Sequence, residues 1–490
     1  MVAKLAKKAS IKVNFILNFL NQILTVIAPC ITVPYLARTL GAAGLGEYSF
    51  ALSLATYFSA FTNLGINLYG QRQIAYLKNK SKQEYSKAFW ELIFLRCFTG
   101  LISIALYYLF VVRLNHSHLL SIILSFEILY VVFDVTWLYQ GFENFKIIVV
   151  RNFIVRFLSI IAIFAFVREP SHLYRYAIIL SGANFLGALS MWCSLKNYIT
   201  LIPLRELHVF SHLRGAFALY LPQIAIQVYT VLDKTMLGLI VKSNYENGYY
   251  DQAHKVVNIL IMVVTALGPV MMPRISNLFA NRDRKAIENY IGKSFHLVWM
   301  ISLPIVFGVL SVSDVFVPFF FGKGFDKVVI LLSLFSFIII PIGVSNIIGI
   351  QYLLPTGRER SFTISVTIGA MVNFALNYFF IQWWQSIGAT ISSIVAEISV
   401  TAFQLWTIRE ELPIKQCIFM VKNYFIAASV MFLALKFISI PHALLFMRLM
   451  IKVFFGFAIY VFVLMSMKDS FFREALFIIW NKVARKVSVK

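Results

Sequence analysis

Acidic residues are scarce in this sequence. Only 21 Asp and Glu stand among 490 residues, against 44 Lys and Arg, and charged residues of both signs make up 13%. Soluble domains carry roughly 25%. With 60% hydrophobic residues, the composition is that of a polytopic membrane protein rather than a water-soluble globule. Cysteine is nearly absent: Cys30, Cys97, Cys193 and Cys417 each lie in or beside an apolar run. Without a CxxC or Cys/His spacing, neither a disulfide framework nor a zinc site is indicated, and the four read as small apolar packing residues. Long polar stretches are missing too, so no loop is large enough to hold a folded domain. No P-loop, HExxH or other catalytic signature is present. The expectation is a non-enzyme without a cofactor or a metal.

What the chain has in excess is positive charge, a net +23. In a soluble protein this would point to nucleic acid. Here the basic residues sit mainly between apolar runs, as the positive-inside rule places them, and no nucleic-acid partner is expected.

Apolar runs near 20 residues recur, the length that spans a bilayer. Helices are expected at about 11–39, 47–69, 88–112, 118–140, 146–167, 174–195, 214–241, 250–277, 292–320, 328–354, 361–383, 387–408, 417–438 and 444–467, about fourteen spans. An even count puts both termini on one side. Lys4, Lys7, Lys8 and Lys12 precede the first span, Lys78, Lys80 and Lys82 follow the second, and Arg282, Arg284 and Lys285 follow the eighth. That side is expected to be cytoplasmic. The tail from about 470 to 490 reads as a basic amphipathic helix on the membrane surface. Pro29 and Pro34 stand inside the first span, where they are expected to break the helix.

A weak internal repeat divides the chain. Gly46-Glu47-Tyr48 matches Gly248-Tyr249-Tyr250, Thr62-Asn63-Leu64-Gly65 matches Thr265-Ala266-Leu267-Gly268, and Asn18 and Gln22 find counterparts in Gln223 and Gln227. Six spans per copy preserve orientation, which implies a pseudo-twofold along the membrane normal with a cavity between the halves. The expected fold is all-α: two six-helix lobes, 1–198 and 214–412, a cytoplasmic linker at 199–213, and two further helices with the tail in 413–490.

The segment PYLARTLGAAGLGEYSFALSLATYFSAFTNLGINLYGQRQIA closely resembles the opening of polysaccharide-biosynthesis flippases, in the multidrug/oligosaccharidyl-lipid/polysaccharide exporter superfamily. The matching residues are Pro34, Leu40, Gly41, Gly46, Tyr48, Gly65, Tyr69, Gly70, Arg72 and Ala75. LDKTMLGLIVKSNYENGYYDQAHKV, with Asp233, Lys234, Gly248, Tyr249 and Tyr250, is similar to the family's seventh helix and following turn. The resemblance implies a bacterial cytoplasmic-membrane protein that moves undecaprenyl-diphosphate-linked repeat units to the outer leaflet for capsule or O-antigen assembly. Lipid-linked oligosaccharide, membrane lipids, a polymerase and chain-length machinery are the partners it implies.

Charges inside spans are costly, about 2.5–3.5 kcal/mol each on insertion scales, and need a partner or a wet cavity. An anionic diphosphate needs Arg or Lys to receive it. The candidates are Arg96, Arg151 and Arg156 from the cytoplasmic side to the middle, and Arg38, Lys234 and Lys255 nearer the outer face. Asn18, Gln22, Gln223, Gln227 and Asn373 are candidates for sugar hydroxyls, although amides also join membrane helices. Asp134, Asp233 and Glu397 are candidates for a coupling ion. Glu127 and Asp134, seven apart on one face, could equally neutralise neighbouring arginines. The competing functions are a multidrug or cation antiporter of the same superfamily, which would favour carboxylates in its spans, and a membrane-embedded polysaccharide polymerase, which would need a long outer loop.

Overall fold

The computed structural model describes residues 11–113, 117–438, 444–474 and 476–477, excluding the side chains of 11–26 and of positions 221, 222, 225, 226, 228, 229, 269 and 270. Most of the expected surface helix of the tail, and the side chains of Asn18 and Gln22, lie outside the described residues. The described chain is helical, with no strand among the described residues. Each of the fourteen expected spans falls on helix, and nine helical stretches among the described residues are long and apolar enough to cross a bilayer. Large apolar side chains such as Phe153, Phe157 and Phe454 are exposed along them, as a lipid-facing surface requires. The protein is a multi-pass membrane protein.

Two compact units are present, 1–248 and 249–490. The first holds α1 (Ile11–Asn63), α2 (Ile66–Leu77), α3 (Lys82–Tyr107), α4 (His118–Phe133), α5 (Thr136–Gly141), α6 (Phe145–Phe166), α7 (Leu173–Trp192), α8 (Leu213–Ile240) and the start of α9 (Asn244–Thr265). α1 runs through Pro29 and Pro34, and its non-helical residue is Gly41, at φ 69° and ψ 176°. The expected interruption at the prolines is therefore displaced. A membrane helix tolerates proline when neighbouring groups satisfy the freed carbonyl, whereas a φ of this sign suits only glycine without steric cost. A second interruption, Leu64 and Gly65, both at positive φ, separates α1 from α2. Trp137 of α5 is the centre of the core: it is fully buried and stacks on Phe89 of α3 at 5.6 Å. Gly70 of α2 lets it in, since a Cβ there would lie 2.5 Å from the indole.

The connection 199–213 lies along α3. Trp90 donates to the Thr200 carbonyl at 3.0 Å, the Thr200 amide donates to Ser86 at 3.0 Å, and Glu91 receives the His208 amide at 2.7 Å and contacts His212 Nε2 at 2.8 Å.

The second unit holds the rest of α9, then α10 (Gly268–Ala280), α11 (Arg284–Phe320), α12 (Asp326–Ser336), α13 (Ile339–Ser345), α14 (Glu359–Ile408), α15 (Ile414–Phe419), α16 (Val421–Phe437) and α17 (Leu445–Ser466). α14 contains two expected spans joined at Gln385, at φ 53° and ψ −126°. Its polar interior includes uncharged pairs, with Ser294 donating to Gln351 at 2.8 Å, Gln404 to Ser365 at 3.0 Å, and Asn377 to Asn373 at 3.1 Å, and a lysine, Lys452, that donates to the Ser311 carbonyl at 3.1 Å. At the helix ends, Glu411 takes a charged hydrogen bond from Arg358 and another from the Tyr352 hydroxyl at 2.8 Å, while Arg284 donates to its backbone carbonyl at 2.7 Å.

The repeat-matched tetrapeptides mark equivalent interruptions. Thr62–Gly65 ends α1 before α2, and Thr265–Gly268 ends α9 before α10. Gly46 and Gly248 also meet. A Cβ on Gly46 would stand 1.7 Å from the Asn244 carbonyl oxygen, and one on Gly248 would stand 2.0 Å from that of Ala42.

Candidate functional site in the first unit

The site is organised by the gap between α4 and α5. Asp134 leaves the helix with extended backbone, φ −72° and ψ 112°. Its side chain then turns the chain into α5, accepting from the Thr136 amide at 3.1 Å and the Thr136 hydroxyl at 2.8 Å, as in an Asx-turn. A gap at this depth frees carbonyls that lipid cannot satisfy. Arg96 takes two of them, Val131 at 3.3 Å and Asp134 at 2.5 Å, and Trp192 takes Phe133 at 2.8 Å. Arg96 also reaches Asn63 Oδ1 at 3.1 Å and Asn67 Oδ1 at 2.6 Å, on either side of the α1–α2 interruption. It is 0% exposed. Its contacts tie together two helix breaks, and it lines neither of the cavities described next.

Arg151, on α6, is different. Its guanidinium lies 3.8 Å from Asp134 Oδ1 and 3.3 Å from the Met191 sulfur, and its side chain is 11% exposed. A long ion pair and a thioether are weak partners for a group with five N–H donors; the guanidinium also engages the Tyr130 hydroxyl, and its Nε, like that of Arg96, is buried without an acceptor among the described residues. Arg151 and Val155 line two cavities at once. One, about 350 Å³, is polar, with Tyr130, Thr136, Gln140, Asn152, Arg156 and Asn184 in its wall. Asn152 and Arg156 are four apart on α6, so both face it. The other, about 1300 Å³, is a largely apolar groove between α6 and α7, with Lys146 and Asn197 at one end. Asn184, in the polar wall, donates to Glu127 at 3.2 Å. Glu127 is thus held by an amide, while Asp134 stands near an arginine.

The structure brings together Arg151, Arg156 and Asp134 of the sequence candidates, with Arg96 behind them. The others are placed elsewhere. Arg38 is exposed three residues before the Gly41 break. Asp233 is buried and Lys234 half-buried in α8, where the Lys234 carbonyl accepts from Asn247 at 2.9 Å. Gln223 and Gln227 are half-buried in α8, and Gln223 Nε2 has no hydrogen-bond partner among the described residues. Lys255 pairs with Asp251 at 2.6 Å. Asn373 is fully buried against Asn377, and Glu397 is half-buried in the second arm of α14. Gln140, Asn152 and Asn184 were not singled out by the sequence. The four-residue spacing of Asn152 and Arg156 was the available signal.

Comparison with known proteins follows from this fold. The family model described as "Polysaccharide biosynthesis protein" matches residues 11–279, and that described as "Lipid II flippase MurJ" matches residues 224–465. A "Putative O-antigen transporter" of Escherichia coli (strain K12) is 27% identical over 414 residues, covering 82% of this chain and 97% of its own. A protein of the same description from Shigella dysenteriae is 24% identical over 403 residues, covering 81% of this chain and 100% of its own. The solved structure "Lipid II flippase MurJ, inward closed conformation" superposes with a TM-score of 0.72 at 17% identity, covering 95% of this chain and 99% of that one. At that identity the likeness establishes the fold.

Proposed function

Since this chain belongs to the polysaccharide biosynthesis protein family, we propose that it is a flippase that carries a lipid-linked oligosaccharide across the membrane. The observation that carries this reading is the placement of Arg151 and Arg156 on a polar cavity inside a membrane-spanning unit. A guanidinium binds phosphate oxygens in a bidentate way, and the neighbouring amides of Gln140, Asn152 and Asn184 suit sugar hydroxyls. The two relatives described as putative O-antigen transporters support the substrate class.

The finer reading is an undecaprenyl-diphosphate-linked repeat unit, moved from the cytoplasmic to the outer leaflet of a bacterial cytoplasmic membrane. Both termini are cytoplasmic. Two six-helix lobes joined through 199–213 alternate in access, the movement a parallel repeat implies, and the product passes to a polymerase and its chain-length machinery. Asp134, Asp233 and Glu397 are the carboxylates placed to take part in ion coupling.

The test is a gene deletion followed by labelling of lipid-linked repeat units from each side of the membrane. Units that accumulate facing the cytoplasm, with surface polysaccharide lost, are expected. Normal surface polysaccharide with altered drug sensitivity would overturn the reading.

A further inference from the structure

We propose that the α6–α7 groove holds the polyisoprenyl chain of the transported lipid, with Arg151 holding the diphosphate at the ridge shared with the polar cavity. This rests on the flippase reading and adds to it a place for the part of the substrate that is not sugar.

The groove has the dimensions of a chain. From Lys146 to Ala162, both in its wall, α6 rises about 24 Å at roughly 1.5 Å per residue. Its volume of about 1300 Å³ exceeds the roughly 300–1,000 Å³ of clefts for compact ligands. It opens sideways: Ile154, Leu158, Ile178 and Leu186 line it and are 48%, 57%, 54% and 65% exposed. A long chain can therefore slide in from the bilayer without threading. The depth comes from missing side chains, since a Cβ on Gly182 would meet nothing within 4 Å.

Charge then says which chain. A groove for bilayer acyl tails alone needs no guanidinium in its wall, yet Arg151, less than two turns into α6, lies on its edge. Gly187 keeps that edge clear, because a Cβ there would stand 2.7 Å from Val155 Cγ2 and 3.4 Å from Arg151 Cδ. On the far side of Arg151 lie Asn152, Arg156 and Asn184. Apolar groove, guanidinium and polar cavity follow one another in the order of isoprenoid chain, diphosphate and sugar.

The test uses the full chain in lipid nanodiscs, with undecaprenyl diphosphate lacking any sugar as the probe and phosphatidylglycerol as competitor. Gly182→Trp fills the groove where space is open. It is expected to weaken binding of the probe by about tenfold or more, the scale on which losing a few buried methylenes registers, with the thermal stability of the wild type retained. Phe153→Trp, on an exposed part of α6 outside the groove, is expected to bind normally. Should Gly182→Trp fail to fold, a photoreactive benzophenone side chain in place of Leu186 is expected to cross-link the isoprenoid chain, and the same group in place of Phe153 to cross-link far less. Wild-type binding by Gly182→Trp, no adduct at position 186, or equal displacement by phosphatidylglycerol would each overturn the groove assignment. Translocation of oligosaccharide by the wild-type protein decides the flippase reading separately: a wild type that binds the probe but moves nothing sinks that reading and leaves the groove.

Discussion

The two units keep polar groups inside membrane-spanning helices by different chemistry. In the first, a fully buried guanidinium, Arg96, satisfies backbone and amide oxygens at two helix breaks, and a second one, Arg151, sits only loosely by Asp134. In the second, amides and hydroxyls pair, Asn377 with Asn373 and Gln404 with Ser365, and the cations meet carboxylates: Lys255 with Asp251 at 2.6 Å, Lys452 near Asp314 at 3.6 Å, and Arg358 with Glu411 at the helix ends. A neutral amide pair carries no net charge into the lipid. A guanidinium in lipid needs several acceptors, and one that is not given enough is available to a ligand. Arg96 and Arg151 are the two outcomes side by side: one held by four oxygens of the fold, the other by weaker partners beside a cavity.

That contrast can be broken at several points. The largest effect is expected from Arg96→Met, which strands carbonyls and amides at both breaks. A loss of about 3–5 kcal/mol, the cost of breaking a buried charged network, should appear as a large drop in the thermal unfolding temperature in detergent. A change under about 1 kcal/mol would mean the breaks hold without it. Arg156→Ala should lower translocation by about tenfold or more, the worth of a charge-assisted hydrogen bond, at unchanged protein level and stability. Full activity would remove Arg156 from the site.

In the second unit, Glu411→Gln should cost about 1 kcal/mol or less, because the pair is about a third exposed. Its pH dependence has a definite sign. Burial raises the Glu411 carboxyl, but hydrogen bonds from Arg358 and Tyr352 outweigh it and hold the group below its ordinary value. The stabilisation is therefore complete above the unfolded carboxylate value, roughly 4.3, and fades as pH falls through the lowered one. The gap in unfolding temperature between wild type and variant should close on acidification, and a gap that widens contradicts the assignment. Smallest of all, Asn373→Leu should cost about 0.6 kcal/mol, the typical worth of a polar contact between membrane helices, and leave transport within about twofold. A tenfold transport loss would put Asn373 in the substrate path.

How much of this the residues announce depends on the kind of feature. Span positions are legible because lipid imposes length and apolarity on every helix, and all fourteen expected spans fall on helix. Breaks are harder. The glycine at Gly41 and the polar Gln385 lie in the gaps left between expected spans, but the α4–α5 gap has neither Gly nor Pro, and the run VVFDVTW reads as one helix. The clue there is local: Asp134 two residues before Thr136 can form an Asx-turn into a new helix. Arg96 and Arg151 look alike in sequence, each a cation in an apolar run. Only the partners brought by α1, α2, α4 and α7 separate the one held by four oxygens from the one on the cavity walls, and those partners lie up to 40 positions away. The groove was not legible, because volume depends on what two helices omit toward each other.

The mutual approach of Gly46 and Gly248 has a consequence for substitution. Each presses against the backbone four residues before the other, at Asn244 and Ala42. A side chain added at either position meets main chain, which has no rotamer to turn away. α1 and α9 would have to part to admit even a methyl group, so this crossing leaves no room for a graded change.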